Sequence, residues 1–158
     1  MSFKIHHASK VWAQPLFTKE SPIKTQMDIY YLSFIVGIST DSCVRFEPSQ
    51  VVEITRDYTD SFKPFKYTLL GILLSSELKS SGLKLERSSF RDHILKFIDC
   101  ENSTMLNERA FDLMNRYAFG GFEYIRNKLS KSVEASTFLV WFYEEFMSEL
   151  IVNSGLVE

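Results

Sequence analysis

Apolar residues recur three and four apart along most of this chain, and that spacing predicts helices. The clearest stretch is 106–129, LNERAFDLMNRYAFGGFEYIRNKL. Leu106, Ala110, Leu113, Met114 and Tyr117 line one side of it, and Phe122, Ile125 and Leu129 resume the pattern beyond Gly120 and Gly121. Two adjacent glycines inside a helix cost about 1 kcal/mol each relative to alanine. They point to a bend or to a second backbone lying close. Two readings stay open: a helix crossing where no side chain fits, or a ligand or DNA phosphate resting on the glycines.

Residues 1–20 show no sustained period and predict an irregular N-terminal arm. His6 and His7 would point in opposite directions on an extended segment, so they read as solvated rather than as a metal pair. Ser21-Pro22 opens a helix running to about Gly37, with Thr25 and Asp28 as a second possible cap. Met27, Tyr30, Tyr31, Phe34 and Ile35 form its buried side. Lys19 and Lys24 flank its start, where free backbone N–H groups also favour an anion. Residues 39–64 read as loop, apart from a short strand at 51–54.

A helix over 65–80 buries Leu69, Leu70, Ile72, Leu73 and Leu78 and stops at Gly82. Ser89 and Asp92 form a capping pattern for a helix over about 90–99. Phe90, Ile94, Leu95 and Ile98 face inward there, with Arg87 and Arg91 on a solvated face. The final helix, 134–153, is apolar around more than one stripe. Phe138, Phe142 and Phe146 form one row with Trp141 beside it; Leu139, Tyr143, Met147 and Leu150 form another, about 100° away. A domain of this size has interior for one row, so the other is expected to meet a partner or a second copy. Phe138, Trp141, Phe142 and Phe146 are the candidate interface, and which row is core stays open. The whole pattern predicts one all-α domain over 1–158, with five to six helices and room for one short strand or hairpin.

Composition adds little to the fold and more to the chemistry. The 158 residues are 45% hydrophobic and 24% charged, which is globular, and fourteen are phenylalanine. The net charge is −2, but its distribution is uneven. Residues 61–100 hold seven lysines and arginines against four acidic residues, whereas 132–158 hold five glutamates and no base. One part of the chain can therefore meet an anion while the tail stays acidic. Cys43 and Cys100 lack CxxC or Cys/His spacing and read as reduced thiols of a cytoplasmic protein. Nothing resembles an apolar leader or a membrane span.

Nucleophile elbow, P-loop, dinucleotide fingerprint and HExxH motifs are missing. Asp57 and Asp60 lack the companions of a nuclease, and His93 beside Asp92 has no nucleophile motif near it. The reading is a binding module with no catalytic residue, no cofactor and no metal.

Three stretches carry a resemblance. Residues 20–38, ESPIKTQMDIYYLSFIVGI, pair a polar Lys/Thr start with an apolar helix ending near a glycine. FKYTLLG stands at 65–71, and RAFDLMNRYAFGGFEYI at 109–125. Together they resemble small helical proteins of bacterial DNA-phosphorothioation (Dnd) systems, the second segment being similar to a turn of the DndE family. The resemblance implies an all-helical, DNA-binding accessory subunit that self-associates and acts in DNA sulfur modification or phage restriction. Lys19, Lys24, Lys63, Lys66 and Arg116 are the candidate contacts to the DNA backbone. The rival expectation is an adaptor that binds protein through the aromatic final helix and never touches DNA; an enzyme such as a nuclease is the weakest of the three.

Overall fold

A computed structural model of the chain describes residues 1–82, 87–131 and 133–147. It is mostly helical, with one two-stranded antiparallel sheet. In chain order the elements are β1 (Phe3–His6), α1 (Ser9–Trp12), α2 (Gln26–Ser39), β2 (Val51–Thr55), α3 (Lys66–Ser81), α4 (Arg87–Leu95), α5 (Glu108–Lys128) and α6 (Ala135–Phe142). Short 3₁₀ turns precede β2 and α3, and α6 runs on into a π-helical turn, Tyr143–Met147.

The crossing of α2 and α5 is the centre of the fold. α5 begins at Asn107, whose side chain accepts the Ala110 N–H at 3.0 Å, and runs unbroken through Gly120 and Gly121. The helix-crossing reading of the glycine pair is the one the structure bears out. A Cβ on Gly121 would collide with the Ser33 carbonyl oxygen and stand 2.6 Å from the Gly37 nitrogen. One on Gly37 would strike the Tyr117 carbonyl. One on Gly120 would collide with the Ser42 carbonyl and lie 2.9 Å from a Val44 methyl carbon. These obstacles are mostly main chain, which cannot rotate away. Gly37 lies near the end of α2, as expected, two residues before Ser39, and the crossing needs a glycine there. The capping box at Thr25 and Asp28 is the true start of α2, and the chain turns out of it through Asp41 at φ 52°.

The first twenty residues correct the expectation of an irregular arm. β1 pairs with β2, and Phe3, Ile5, Ala13 and Leu16 are fully buried. Phe3 lies among Tyr30, Tyr58 and Phe111, at ring-centroid distances of 5.3, 4.9 and 5.0 Å. The far edge of β1 is met by a side chain instead of a strand. Buried Asn115 accepts the Lys4 N–H at 2.9 Å and the Tyr30 hydroxyl at 3.0 Å, and donates to the Ser2 carbonyl at 3.0 Å. Trp12 stands edge-on to Phe122 and Phe138, so the start of the chain and α6 close over the same end of α5.

That closure decides the aromatic rows. Phe138, Phe142 and Phe146 are 1%, 8% and 7% exposed, and Trp141 packs against the same core. The candidate interface of Phe138, Trp141, Phe142 and Phe146 is thus corrected: these rings fill the chain's own interior, because Trp12, Phe122 and Tyr124 supply partners that helical spacing alone does not reveal. Val140 and Tyr143 are the exposed large hydrophobic side chains among the described residues of this segment. The expected continuation to 153 lies outside the described residues.

α3 follows expectation, ending at Gly82 with φ 59°. α4 does not. It contains Ser89 rather than being capped by it, and it ends at Leu95. Phe90 and Leu95 are exposed, while His93 and Phe97 turn inward. The chain leaves the helix early because Ile98 bridges to Leu106. The Arg87 side chain lies outside the described residues.

The crossing yields a paired prediction. Gly121→Ala should lower unfolding free energy by about 3 kcal/mol or more, since overpacking here presses on backbone. Gly71→Ala, on an exposed α3 position with nothing within 4 Å of the added carbon, should raise it by about 0.5–1 kcal/mol through helix propensity and unfolded-chain entropy. Urea denaturation of both variants checks the pair; a Gly121→Ala protein as stable as the parent would deny the contact.

Candidate nucleic-acid interface

Four of the five candidate cations lie at the entrances to two helices. In the loop before α2, the Lys24 ammonium donates to the carbonyls of Thr18 at 3.2 Å and Lys19 at 2.5 Å. The anion position at the start of α2 is already taken: Asp28 accepts the backbone N–H groups of Lys24 and Thr25 at 2.9 and 2.7 Å. The capping carboxylate thus performs locally what a bound phosphate would do there.

Lys63 and Lys66 stand where a 3₁₀ turn enters α3. Phe62 anchors the turn, buried against Tyr31, and Pro64 sits in the first turn, where it forfeits no hydrogen bond. Outside the anchor the chain presents Lys63, Phe65, Lys66 and Tyr67. Phe65 and Tyr67 are 55% and 65% exposed. The Lys66 ammonium donates to the Ser103 carbonyl at 3.3 Å and lies 5.1 Å from the Tyr67 ring centre. Lys63 pairs with Asp60 at 2.8 Å; this holds the Asp60 carboxyl below its ordinary value and the Lys63 ammonium above its own. Both groups are solvated, so the pair contributes little to stability.

Arg116 is elsewhere, on α5. It lies 3.8 Å from Asp112, and its side chain is 25% exposed. It lines a groove of about 350 Å³ with Arg45, Phe46, Glu47 and Asp112. An adjoining cleft of about 340 Å³ shares Phe46 and Asp112 and reaches Lys4, Glu53 and Glu108. No hydrogen bond or ion pair among the described residues joins Lys19 and Lys24, Lys63 and Lys66, and Arg116 to one another. Sequence reasoning missed Arg45 and Phe46, which lie in an extended segment with no periodic signal. It also missed Asn115, a single polar residue within an apolar stripe.

Burial pushes the Cys43 thiol up, against a partial opposing pull from Arg116, so it is not an activated nucleophile. Among the described residues no three His, Cys, Asp or Glu side chains stand together as metal ligands. No described helix is long and apolar enough to cross a membrane. His6, expected in solvent, is buried and stacks on Phe119 at 4.9 Å, while its Nδ1 accepts the Ala8 N–H. Burial first, then Arg126 and His7, lower its pKa from 6.5 to about 4.

Comparison with known proteins finds no matching family model, no matching curated protein and no matching solved structure. The three segments singled out in the sequence fall on the entry and length of α2, the head of α3 and the middle of α5.

His6 supplies a pH prediction. Its neutral form is the folded form, so its contribution is complete above pH 6.5. Between pH 6.5 and about 4 the unfolded chain binds a proton that the folded chain refuses, and stability falls as pH falls. Urea midpoints measured across that window should drop more steeply for the parent than for His6→Asn; parallel profiles would place His6 in water.

Proposed function

We propose that this protein is a non-catalytic subunit of a bacterial DNA-modification or anti-phage defence complex that contacts the DNA backbone. The observation that carries the reading is the exposed run Lys63–Tyr67, where two lysines and two solvent-facing rings stand on a turn anchored by Phe62. Lysine supplies charge to phosphates, and exposed aromatic rings give sugars and bases an apolar surface. The likeness of 65–71 to a DndE-family turn falls on this same run. Contact of this kind tolerates sequence, because lysine charges and ring faces meet phosphates and bases of any sequence alike.

A second reading, the protein-binding adaptor, is favoured by one observation. Val140 and Tyr143 are 57% and 51% exposed beside the half-buried Trp141. Aromatic side chains in such settings are common anchors of protein interfaces, and a second copy of this chain or another subunit of the complex would be the occupant.

Titration of fluorescent random duplexes at several salt concentrations tests the first reading. The slope of log K against log salt should be about −0.9 for each phosphate met, and Lys63→Ala or Lys66→Ala should each reduce it by about one contact. Affinity indifferent to salt would end the electrostatic reading. Tyr143→Ser should leave DNA affinity unchanged while weakening self-association in sedimentation if the second reading also holds.

A further inference from the structure

We infer that the Lys63–Tyr67 turn takes single-stranded DNA, with Phe65 and Tyr67 stacking on unpaired bases and Lys66 meeting the phosphate beside them. The inference rests on the DNA reading proposed above and names the form of DNA that this surface fits. Paired DNA keeps its base faces stacked inside the helix and offers a protein only base edges and phosphates. A strand without a partner leaves base faces free, and an aromatic ring can lie on them whatever the sequence.

Both rings are large, exposed and without a partner of their own. Phe65 makes no ring contact among the described residues, and the Tyr67 hydroxyl makes no hydrogen bond there. Their main chain, by contrast, is fixed. Phe62 is buried beneath the turn against Tyr31, and the Phe65 N–H donates to the Phe62 carbonyl at 2.9 Å. Lys66 and Tyr67 are already the first two residues of α3. A platform presented by ordered backbone loses less entropy on binding than a loop that must first be arranged.

Charge sorts the occupant. Lys63 is paired with Asp60 at 2.8 Å, whereas Lys66 has no carboxylate partner among the described residues. Its ammonium is held by the Ser103 carbonyl at 3.3 Å and lies 5.1 Å from the Tyr67 ring centre. A base laid on Tyr67 therefore carries its phosphate toward an uncompensated cation. Residues 60–67 hold Lys63 and Lys66 against Asp60, a net charge of +1, so the rings supply most of the recognition and the charge assists. Protein interfaces deplete lysine at their centres. Here a lysine stands between the two exposed rings, which favours a nucleic-acid strand over a protein.

The test measures fluorescence anisotropy of a labelled oligothymidylate of about twelve nucleotides, and of a random duplex of equal length, with the full chain. At matched salt the single strand should bind about tenfold or more tightly than the duplex. Phe65→Ser and Tyr67→Ser should each weaken single-strand binding about fivefold or more, the loss expected for one stacked base. Tyr67→Phe, which keeps the ring, should bind like the parent. Duplex affinity and the urea midpoint should stay at parent values in all three variants, because both rings are exposed. Equal affinity for the two probes, unmoved by the ring substitutions, overturns the stacking and leaves the backbone reading intact. Salt-dependent binding to neither probe overturns both. A single-strand preference that survives both serine variants overturns the assignment to this turn. Ring variants that change sedimentation of the chain and not its affinity for oligothymidylate give the rings to a protein interface, and the inference fails.

Discussion

Everything in this fold depends on how closely two backbones approach each other. Where α2 crosses α5, Gly37 and Gly121 leave no side chain between the helices, and Ser33 and Tyr117 present carbonyls to the gap. Ordinary helix pairs keep about 8–10 Å between axes because side chains interdigitate. Here the main chains themselves are the packing surface, and weak Cα–H···O contacts become available at that range. Gly120 extends the same contact to Ser42 and Val44. It draws the extended segment 42–47 down onto α5 and so forms one wall of the Arg45–Arg116 groove. One structural requirement, no Cβ at three positions, thus fixes both the core and the groove.

The elements legible in the sequence are those longer than their own period. α5 announces itself through several turns of regular spacing, and Gly82 and the Thr25–Asp28 pair mark the end of α3 and the start of α2 in chemistry that reads locally. β1 and α1 are four residues each, too short for a repeat, and β1's partner strand is nearly fifty residues away in the chain. The burial of His6 has the same cause: Phe119 and Phe122, which enclose it, are remote in sequence. α6 shows the complementary difficulty. Both its rows are apolar, and spacing cannot say which row Trp12 and Tyr124 will cover.

The candidate site was legible as a set of residue types and not as a set of contacts. Lys63 and Lys66 stand out because they bracket the turn into the helix that carries Leu69 and Leu70, and the structure leaves the rings of Phe65 and Tyr67 beside them exposed. What the lysines touch is tertiary: Ser103 meets Lys66 across 37 residues. Arg116 was visible as a cation on a helix face, but its companion Arg45 lies in a segment with no period. Lys24 had a purpose closer to home, closing the loop on which it sits.

Asn115 also determines the order in which this chain can take shape. Its bonds reach across 85 residues to Tyr30, 111 to Lys4 and 113 to Ser2, and Trp12 meets Leu129 across 117. Contacts so distant must close long loops before they return any free energy, which slows folding relative to bundles built from neighbouring helices. On the ribosome the first strand can pair with β2 early, yet its other edge stays bare until α5 has emerged. Until then Phe3 and Ile5 belong to an unfinished surface, and the second half of the chain completes what the first few residues begin.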